Sequence, residues 1–139
     1  MVQLIVGEKG KGKTKQLLEK VNTDVQNILG NIVYLDKSTK HMYELNNKVR
    51  LIDVSQYMIE NNSEFIGFVS GILSQDHDLQ QMYFDNFLYI AKEDCDQMVG
   101  TIKKLEKMSE AFNVDFILSV SADKSALPDE VKDKVIIAL

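Results

Sequence analysis

The chain has few of the residues that mark several common protein classes. Its 139 residues include one cysteine, one proline and no tryptophan. A single cysteine, Cys95, excludes a disulfide framework and a cysteine-rich zinc module and suits a reducing compartment, so we expect a cytoplasmic protein. No apolar run approaches the roughly 18 residues that a membrane span needs. The first seven residues have neither a basic leader nor a long apolar region, so no secretory signal is predicted.

Arginine is also scarce, and acidic residues outnumber basic ones by 21 to 16. The formal net charge is −5, which argues against a protein that coats nucleic acid. Arg50 is the only arginine in the chain. The hydrophobic fraction of 45% is typical of globular proteins, and the length is close to that of one domain of about 100–200 residues. We therefore predict a single domain over residues 1–139.

A specific motif occupies residues 7–14. They read Gly-Glu-Lys-Gly-Lys-Gly-Lys-Thr, which matches the pattern G-x-x-x-x-G-K-[ST] of phosphate-binding loops. Average residue frequencies produce this pattern by chance in about one chain in 200 of this length. An apolar run, Val2 to Val6, precedes the loop, and a segment with helical spacing follows it. The apolar face of that segment consists of Leu17, Leu18, Val21, Val25, Ile28 and Leu29. Strand, loop and helix is the order that the motif requires.

The residue types in this loop suit phosphate chemistry. The glycines allow successive backbone N–H groups to converge on phosphate oxygens, and the start of the following helix adds the positive end of its dipole. We expect Lys13 to contact the β- and γ-phosphates and Thr14 to provide a hydroxyl ligand for Mg²⁺. The neighbouring lysines either raise phosphate affinity or are simply solvated. The predicted nucleotide-binding residues are Gly7, Glu8, Lys9, Gly10, Lys11, Gly12, Lys13, Thr14 and Lys15.

The rest of the chain alternates between strand and helix patterns. Strands are predicted at 31–36, 49–54, 82–85, 114–120 and 135–139, and helices at 63–73, with Ser63 as a candidate N-cap, and 94–112. This alternation favours an α/β three-layer sandwich with a mostly parallel sheet of five or six strands and helices on both faces. Together with the loop, the pattern resembles the P-loop NTPase superfamily. The resemblance implies that the chain binds ATP or another nucleoside triphosphate, with Mg²⁺.

Within that superfamily, the chain is similar to the RecA-like branch. It resembles small bacterial ATP-binding proteins that are grouped with the twitching-motility (PilT-type) ATPases. The motility enzymes carry an additional N-terminal domain, acidic and histidine boxes, and arginines that complete a ring. This sequence has none of these features, so motor function is not implied.

The resemblance also implies an acidic residue at the end of a strand, close to the magnesium ion. Three aspartates follow apolar runs, namely Asp36, Asp53 and Asp85. Asp36 ends the strand directly after the loop helix, which is not the usual position. Asp85 follows a full predicted helix and suits the RecA-like branch, so we assign it to the metal with Thr14. Asp53, or none of the three, remains as the alternative.

The residues expected to support hydrolysis are incomplete. Asn86 follows Asp85 where RecA-like ATPases usually have a glutamate, and an amide can hold a water but cannot accept its proton. Lys13, Asp85 and Asn86 are the predicted catalytic residues, and we expect slow turnover unless a base comes from elsewhere. With one arginine in the chain, a protein partner or a second copy would have to supply another.

Other polar residues give weaker signals. Ser119 or Ser121, at the end of a predicted strand, could sense the γ-phosphate or could simply end the strand. His41 has no partner nearby in sequence, and His77 lies in a segment that we expect to be a solvated loop. Three functions follow: a slow Mg²⁺-dependent ATPase, a nucleotide-binding switch or interaction module with little hydrolysis, and a small-molecule phosphotransferase. The missing arginine-rich lid disfavours the third.

Overall fold

The computed structural model describes all residues, 1–139, and contains six strands and four α-helices. The strands are β1 (Val2–Gly7), β2 (Asn31–Asp36), β3 (Val49–Asp53), β4 (Leu79–Phe84), β5 (Asp115–Ser121) and β6 (Val135–Ala138). The helices are α1 (Lys13–Asp24), α2 (Asn62–Gln75), α3 (Phe87–Ala91) and α4 (Met98–Phe112). Short 3₁₀ turns lie at Met42–Glu44, Val54–Gln56, Cys95–Gln97, Lys124–Ala126 and Asp129–Lys134.

All six strands pair in one parallel sheet with the order β3-β2-β4-β5-β1-β6. The predicted α/β class and the six-strand alternative are confirmed, and the sheet is entirely rather than mostly parallel. Parallel order places the carboxyl ends of all strands at the same edge of the sheet. Loops that follow β1, β2, β4 and β5 therefore meet there, although their residues are far apart in sequence.

Helices cover both faces of the sheet, as predicted, and each face has its own apolar core. On β1, the side chains of Val2, Leu4 and Val6 join a large cluster with α2, α3 and α4. Ile5, which points to the other face, joins a smaller cluster with Leu17 and its neighbours on α1. Such alternation is expected for a strand that is buried on both sides. The arrangement fits a three-layer sandwich.

The first helix is shorter than the apolar pattern predicts. The α-helix ends at Asp24. The next residues form hydrogen bonds to carbonyls three positions earlier, as in a 3₁₀ turn, and one of these bonds joins the Asn27 N–H to the Asp24 carbonyl at 3.0 Å. Leu29, predicted on its buried face, is fully exposed. The chain has to leave the helix there because β2 begins at Asn31, whose N–H donates to the Asp78 carbonyl at 2.7 Å. Pairing of β2 thus overrides the helical pattern of residues 25–29.

Other predicted boundaries also move. The N-cap of α2 is Asn61 and not Ser63, since Asn61 Oδ1 accepts from the Glu64 N–H at 2.9 Å. The long helical stripe predicted from residue 94 begins as a 3₁₀ turn and becomes α-helix only at Met98, and Phe112 at its end is half-exposed. Strand β4 begins at Leu79, earlier than predicted, and ends one residue before the aspartate that follows it. The short helix α3 was not predicted.

None of the helices is both long and apolar enough to cross a bilayer.

Candidate functional site

The loop between β1 and α1 forms an open turn around the start of the helix. Gly10 and Gly12 adopt φ angles of 85° and 95°, a left-handed conformation that disfavours residues with a side chain. A Cβ atom at either position would meet no atom within 4 Å, so the left-handed backbone and not crowding is what favours glycine there. The motif thus has the backbone geometry in which successive N–H groups can face an anion.

Lys13 is the first residue of α1 and lies inside this turn. It is 8% exposed, and its Nζ donates to the Glu8 carbonyl at 3.2 Å. Burial lowers the pKa of Lys13, and the nearby Asp85 carboxylate partly offsets that effect. The ammonium group is therefore held against the loop, where it can exchange a carbonyl for a phosphate oxygen.

Thr14 meets Asp85 across the sheet edge. Asp85 directly follows β4 and is 4% exposed, and its Oδ1 accepts from the Thr14 hydroxyl at 3.1 Å. The Ser119 hydroxyl, from the end of β5, lies 3.3 Å from the same oxygen. Oδ2 accepts from the Tyr34 hydroxyl at 2.8 Å, and burial together with the Asp85 charge raises the pKa of that tyrosine. Hydroxyl groups from α1, β2 and β5 therefore converge on one carboxylate.

Of the aspartates considered, Asp85 lies beside the loop and Asp53 does not. Asp53 ends β3, the edge strand of the sheet, where its Oδ1 accepts from both the backbone N–H and the hydroxyl of Ser55. It therefore caps a turn. Of the two serines, Ser121 pairs with Gly7 next to the loop and is exposed, whereas Ser119 is buried against the Asp85 carboxylate.

Asn86 adopts a left-handed conformation, with φ at 57°. Its backbone N–H donates to Ser119 Oγ at 2.7 Å, and its side chain makes no capping bond to α3. Asn86 is half-buried, and its backbone is held beside Ser119, whose hydroxyl also lies near the Asp85 carboxylate. Its predicted role in holding a water stays a prediction.

The lysines on either side of Lys13 are solvent-exposed. Lys9, Lys11 and Lys15 form no ion pair within the protein. They leave a positively charged rim around the loop in a chain whose net charge is −5. Beside them, a groove of about 590 Å³ runs along α1 and reaches His41 and Glu44 on the turn after β2.

The structure adds two residues that sequence reasoning did not place at the site. Asp36 ends β2, the neighbour of β4, and is 4% exposed. His41 follows on the next turn, and its ligand atom and those of Asp36 and Asp85 lie within 4.8 Å of one another. Burial, and secondarily the charge of Asp85, raises the pKa of Asp36 to about 6. A signal did exist in the sequence, because Asp36 and Asp85 both follow apolar strands, but their proximity depends on β2 and β4 being neighbours.

No protein-family model matches the chain, and no curated protein matches it significantly. Any functional proposal therefore rests on the chemistry of the loop and of the adjoining strand ends.

Proposed function

We propose that this chain is a P-loop protein of RecA-like strand order that binds ATP with Mg²⁺. The hydrogen bond between Thr14 and Asp85 is the observation that carries the proposal. It joins the last residue of the phosphate-loop motif to an acidic residue at the end of a strand that is not adjacent in sequence. Strand β5 lies between β1 and β4, so the two residues meet across one intervening strand.

The residues present fit the phosphate groups and the metal. Gly10 and Gly12 give the loop a left-handed backbone, and Lys13 is a buried cation whose Nζ lies against the Glu8 carbonyl of the loop. Thr14 and Asp85 would hold Mg²⁺, and the bound ion would neutralise phosphate charge. Hydroxyl and carboxylate oxygens are the ligands that Mg²⁺ prefers. Lys13 would bind the β- and γ-phosphates directly, and the exposed lysines of the rim would attract the anion to the loop.

Hydrolysis needs a base, which Asn86 cannot provide. Asp36 is the carboxylate placed beside Asp85, and we infer that it takes this part, accepting a proton from the attacking water. The base would then come from β2 and not from the residue after Asp85. Asp36 shares the sheet edge with the loop, which makes the role geometrically accessible.

Hydrolysis also benefits from an arginine, and this chain offers none at the site. Arg50 lies on β3, four strands from β1, which is about 19 Å at the usual strand spacing. The proposed ATPase is therefore slow alone and is completed by a protein partner or a second copy.

A nucleotide-binding switch or interaction module with little hydrolysis is the second candidate. Asn86 and the distance of Arg50 from the loop favour it. A small-molecule phosphotransferase is a third and weaker candidate, because no arginine-rich lid is present in the sequence.

The first experiment is calorimetric titration of ATP, ADP and GTP in the presence of MgCl₂. We expect ATP binding by the unaltered protein and by Lys107→Ala, which removes an exposed lysine of α4, and its loss in Lys13→Ala. Absence of binding by the unaltered protein at millimolar nucleotide would refute the proposal.

Phosphate release then separates the first two candidates. An ATPase predicts turnover that Lys13→Ala and Asp36→Asn remove and that Asn86→Glu raises. Binding without phosphate release above background, in the unaltered protein and in Asn86→Glu, would favour the switch. Retention of full turnover in Asp36→Asn would exclude Asp36 as the base.

A further inference from the structure

Only one of the two carboxylate oxygens of Asp36 has a hydrogen-bond partner within the fold. Oδ1 accepts from the N–H of Lys37 at 2.7 Å, whereas Oδ2 is buried and has no hydrogen-bond partner. A buried carboxylate oxygen without a donor is costly, and native proteins seldom keep one without a reason. A cation at this position would satisfy it.

Two further ligands are close to that carboxylate. One ligand atom each from Asp36, His41 and Asp85 lies within 4.8 Å of the others. Donor atoms at 2.0–2.2 Å from a tetrahedral metal ion are about 3.3–3.6 Å apart, so side-chain movements of about 1 Å bring all three into range. His41 can make that movement because it lies on a turn and is only partly buried.

His41 has a carboxylate partner of the kind that metal-bound histidines keep. Its Nδ1 lies 3.2 Å from Glu44 Oε1, which leaves Nε2 as the nitrogen free to bind. A carboxylate that holds the second ring nitrogen is the usual outer partner of a metal-bound histidine, since it fixes the tautomer and strengthens the donor. Glu44 is three residues from His41 on the same turn, so the expectation that His41 has no partner nearby in sequence is wrong.

We propose that Asp36, His41 and Asp85 bind a divalent transition-metal ion of the Mn²⁺, Co²⁺ or Zn²⁺ class. This site shares Asp85 with the one proposed for Mg²⁺ and differs from it in the imidazole, because Mg²⁺ prefers oxygen ligands and these ions accept nitrogen. The site contains no group from a nucleotide, so it forms in the nucleotide-free protein and does not rest on the proposed ATP binding. A bound ion would occupy the Asp36 carboxylate and so oppose its use as a base.

Calorimetric titration of the nucleotide-free protein with ZnCl₂ tests the affinity. We expect one site that weakens by more than about tenfold in His41→Gln and in Asp36→Asn, because even loss of an outer partner typically costs 10–100-fold. His77→Gln is the matched control, since it removes the only other histidine, which lies between Asp76 and Asp78. Equal affinity in the unaltered protein and His41→Gln would overturn the proposal, as would loss of the site in His77→Gln alone.

Proton NMR locates the ion independently of affinity. With two histidines in the chain, the ring signals can be assigned by the two glutamine variants. We expect substoichiometric MnCl₂ to broaden the His41 signals before those of His77, and the same concentration of MgCl₂ to leave both unchanged. Equal broadening of both rings, or earlier broadening of His77, would show surface binding and refute the site.

The Asp36→Asn variant keeps the side-chain oxygen that accepts from the Lys37 N–H, so we expect this variant to fold.

Discussion

Glycine-to-alanine substitution should have opposite effects in the phosphate loop and in the helices. Gly12 has φ at 95°, and an added Cβ there would meet no atom within 4 Å. Gly67 lies inside α2, is exposed, and also has nothing within 4 Å of an added Cβ. Neither substitution creates a clash, so any difference in stability between them comes from the backbone.

The expected changes in the free energy of unfolding combine two opposing effects of adding a side chain. Alanine in a left-handed conformation costs about 1–2 kcal/mol, whereas the loss of unfolded-state entropy returns about 0.4–1 kcal/mol. Gly12→Ala should therefore lower the free energy of unfolding by about 0.5–1 kcal/mol. Gly67→Ala should raise it by about 0.5–1 kcal/mol, because alanine is the better helix former. For a chain of this size, each kcal/mol shifts Tm by roughly 3–5 °C.

Urea unfolding of the nucleotide-free protein at pH 7, followed by circular dichroism, measures both changes. Gly100→Ala in α4, which is exposed and equally free of contacts, repeats the helical case. The reasoning would be refuted if Gly12→Ala stabilised the protein as much as Gly67→Ala does, because the loop would then not have the left-handed turn on which the phosphate site depends.

Three further predictions concern buried polar groups and a helix cap. Burial raises the pKa of Glu93, whose Oε1 has no hydrogen-bond partner, so Glu93→Gln should raise the free energy of unfolding at pH 7. This gain should shrink as the pH falls through the raised pKa towards 4.5, because Glu93 is then protonated in both the folded and the unfolded state. A gain independent of pH would show that the buried charge of Glu93 is not its cause. Tyr34→Phe leaves Asp85 Oδ2 without its hydrogen-bond donor, so it should lower the free energy of unfolding, measured in urea, by about 1–3 kcal/mol. An unchanged free energy of unfolding would mean that a water molecule replaces the hydroxyl. Asn61→Ala should lower the free energy of unfolding by about 1 kcal/mol and Ser63→Ala should leave it almost unchanged, because Asn61 is the N-cap of α2. The reverse order would mean that Ser63 is the N-cap, as predicted from sequence.

Local features of the site could be predicted from sequence because they depend on short segments. The loop motif requires left-handed backbone at particular positions, and glycine stands at both positions that adopt it, Gly10 and Gly12. The apolar run before the loop and the helical spacing after it place Lys13 at the start of a helix. Strand and helix periodicity likewise predicted the α/β class, since each period is set within a few residues.

Boundaries were predicted less well where strand pairing overrides local pattern. Residues 25–29 continue the helical spacing of α1, but the chain has to leave the helix to form the first hydrogen bond of β2. Leu29 is therefore exposed to solvent. Asn61 rather than Ser63 caps α2, because both residue types can cap a helix and only the backbone path selects one. The end of α1 is therefore decided by a contact with a residue distant in sequence, whereas the cap of α2 is decided by the local backbone path.

The order of the strands decided which side chains share the site. Sequence offered three aspartates at strand ends, and their sequence positions alone could not show which one meets Thr14. Placing β4 one strand away from β1 brings Asp85 to that hydroxyl, and placing β2 beside β4 brings Asp36 and His41 to the same carboxylate. The sequence by itself determined the glycine-rich turn between β1 and α1 and the alternation of strands and helices, because both depend on neighbouring residues. The tertiary structure alone decided the acidic cluster, because parallel pairing joins strand ends that lie tens of residues apart.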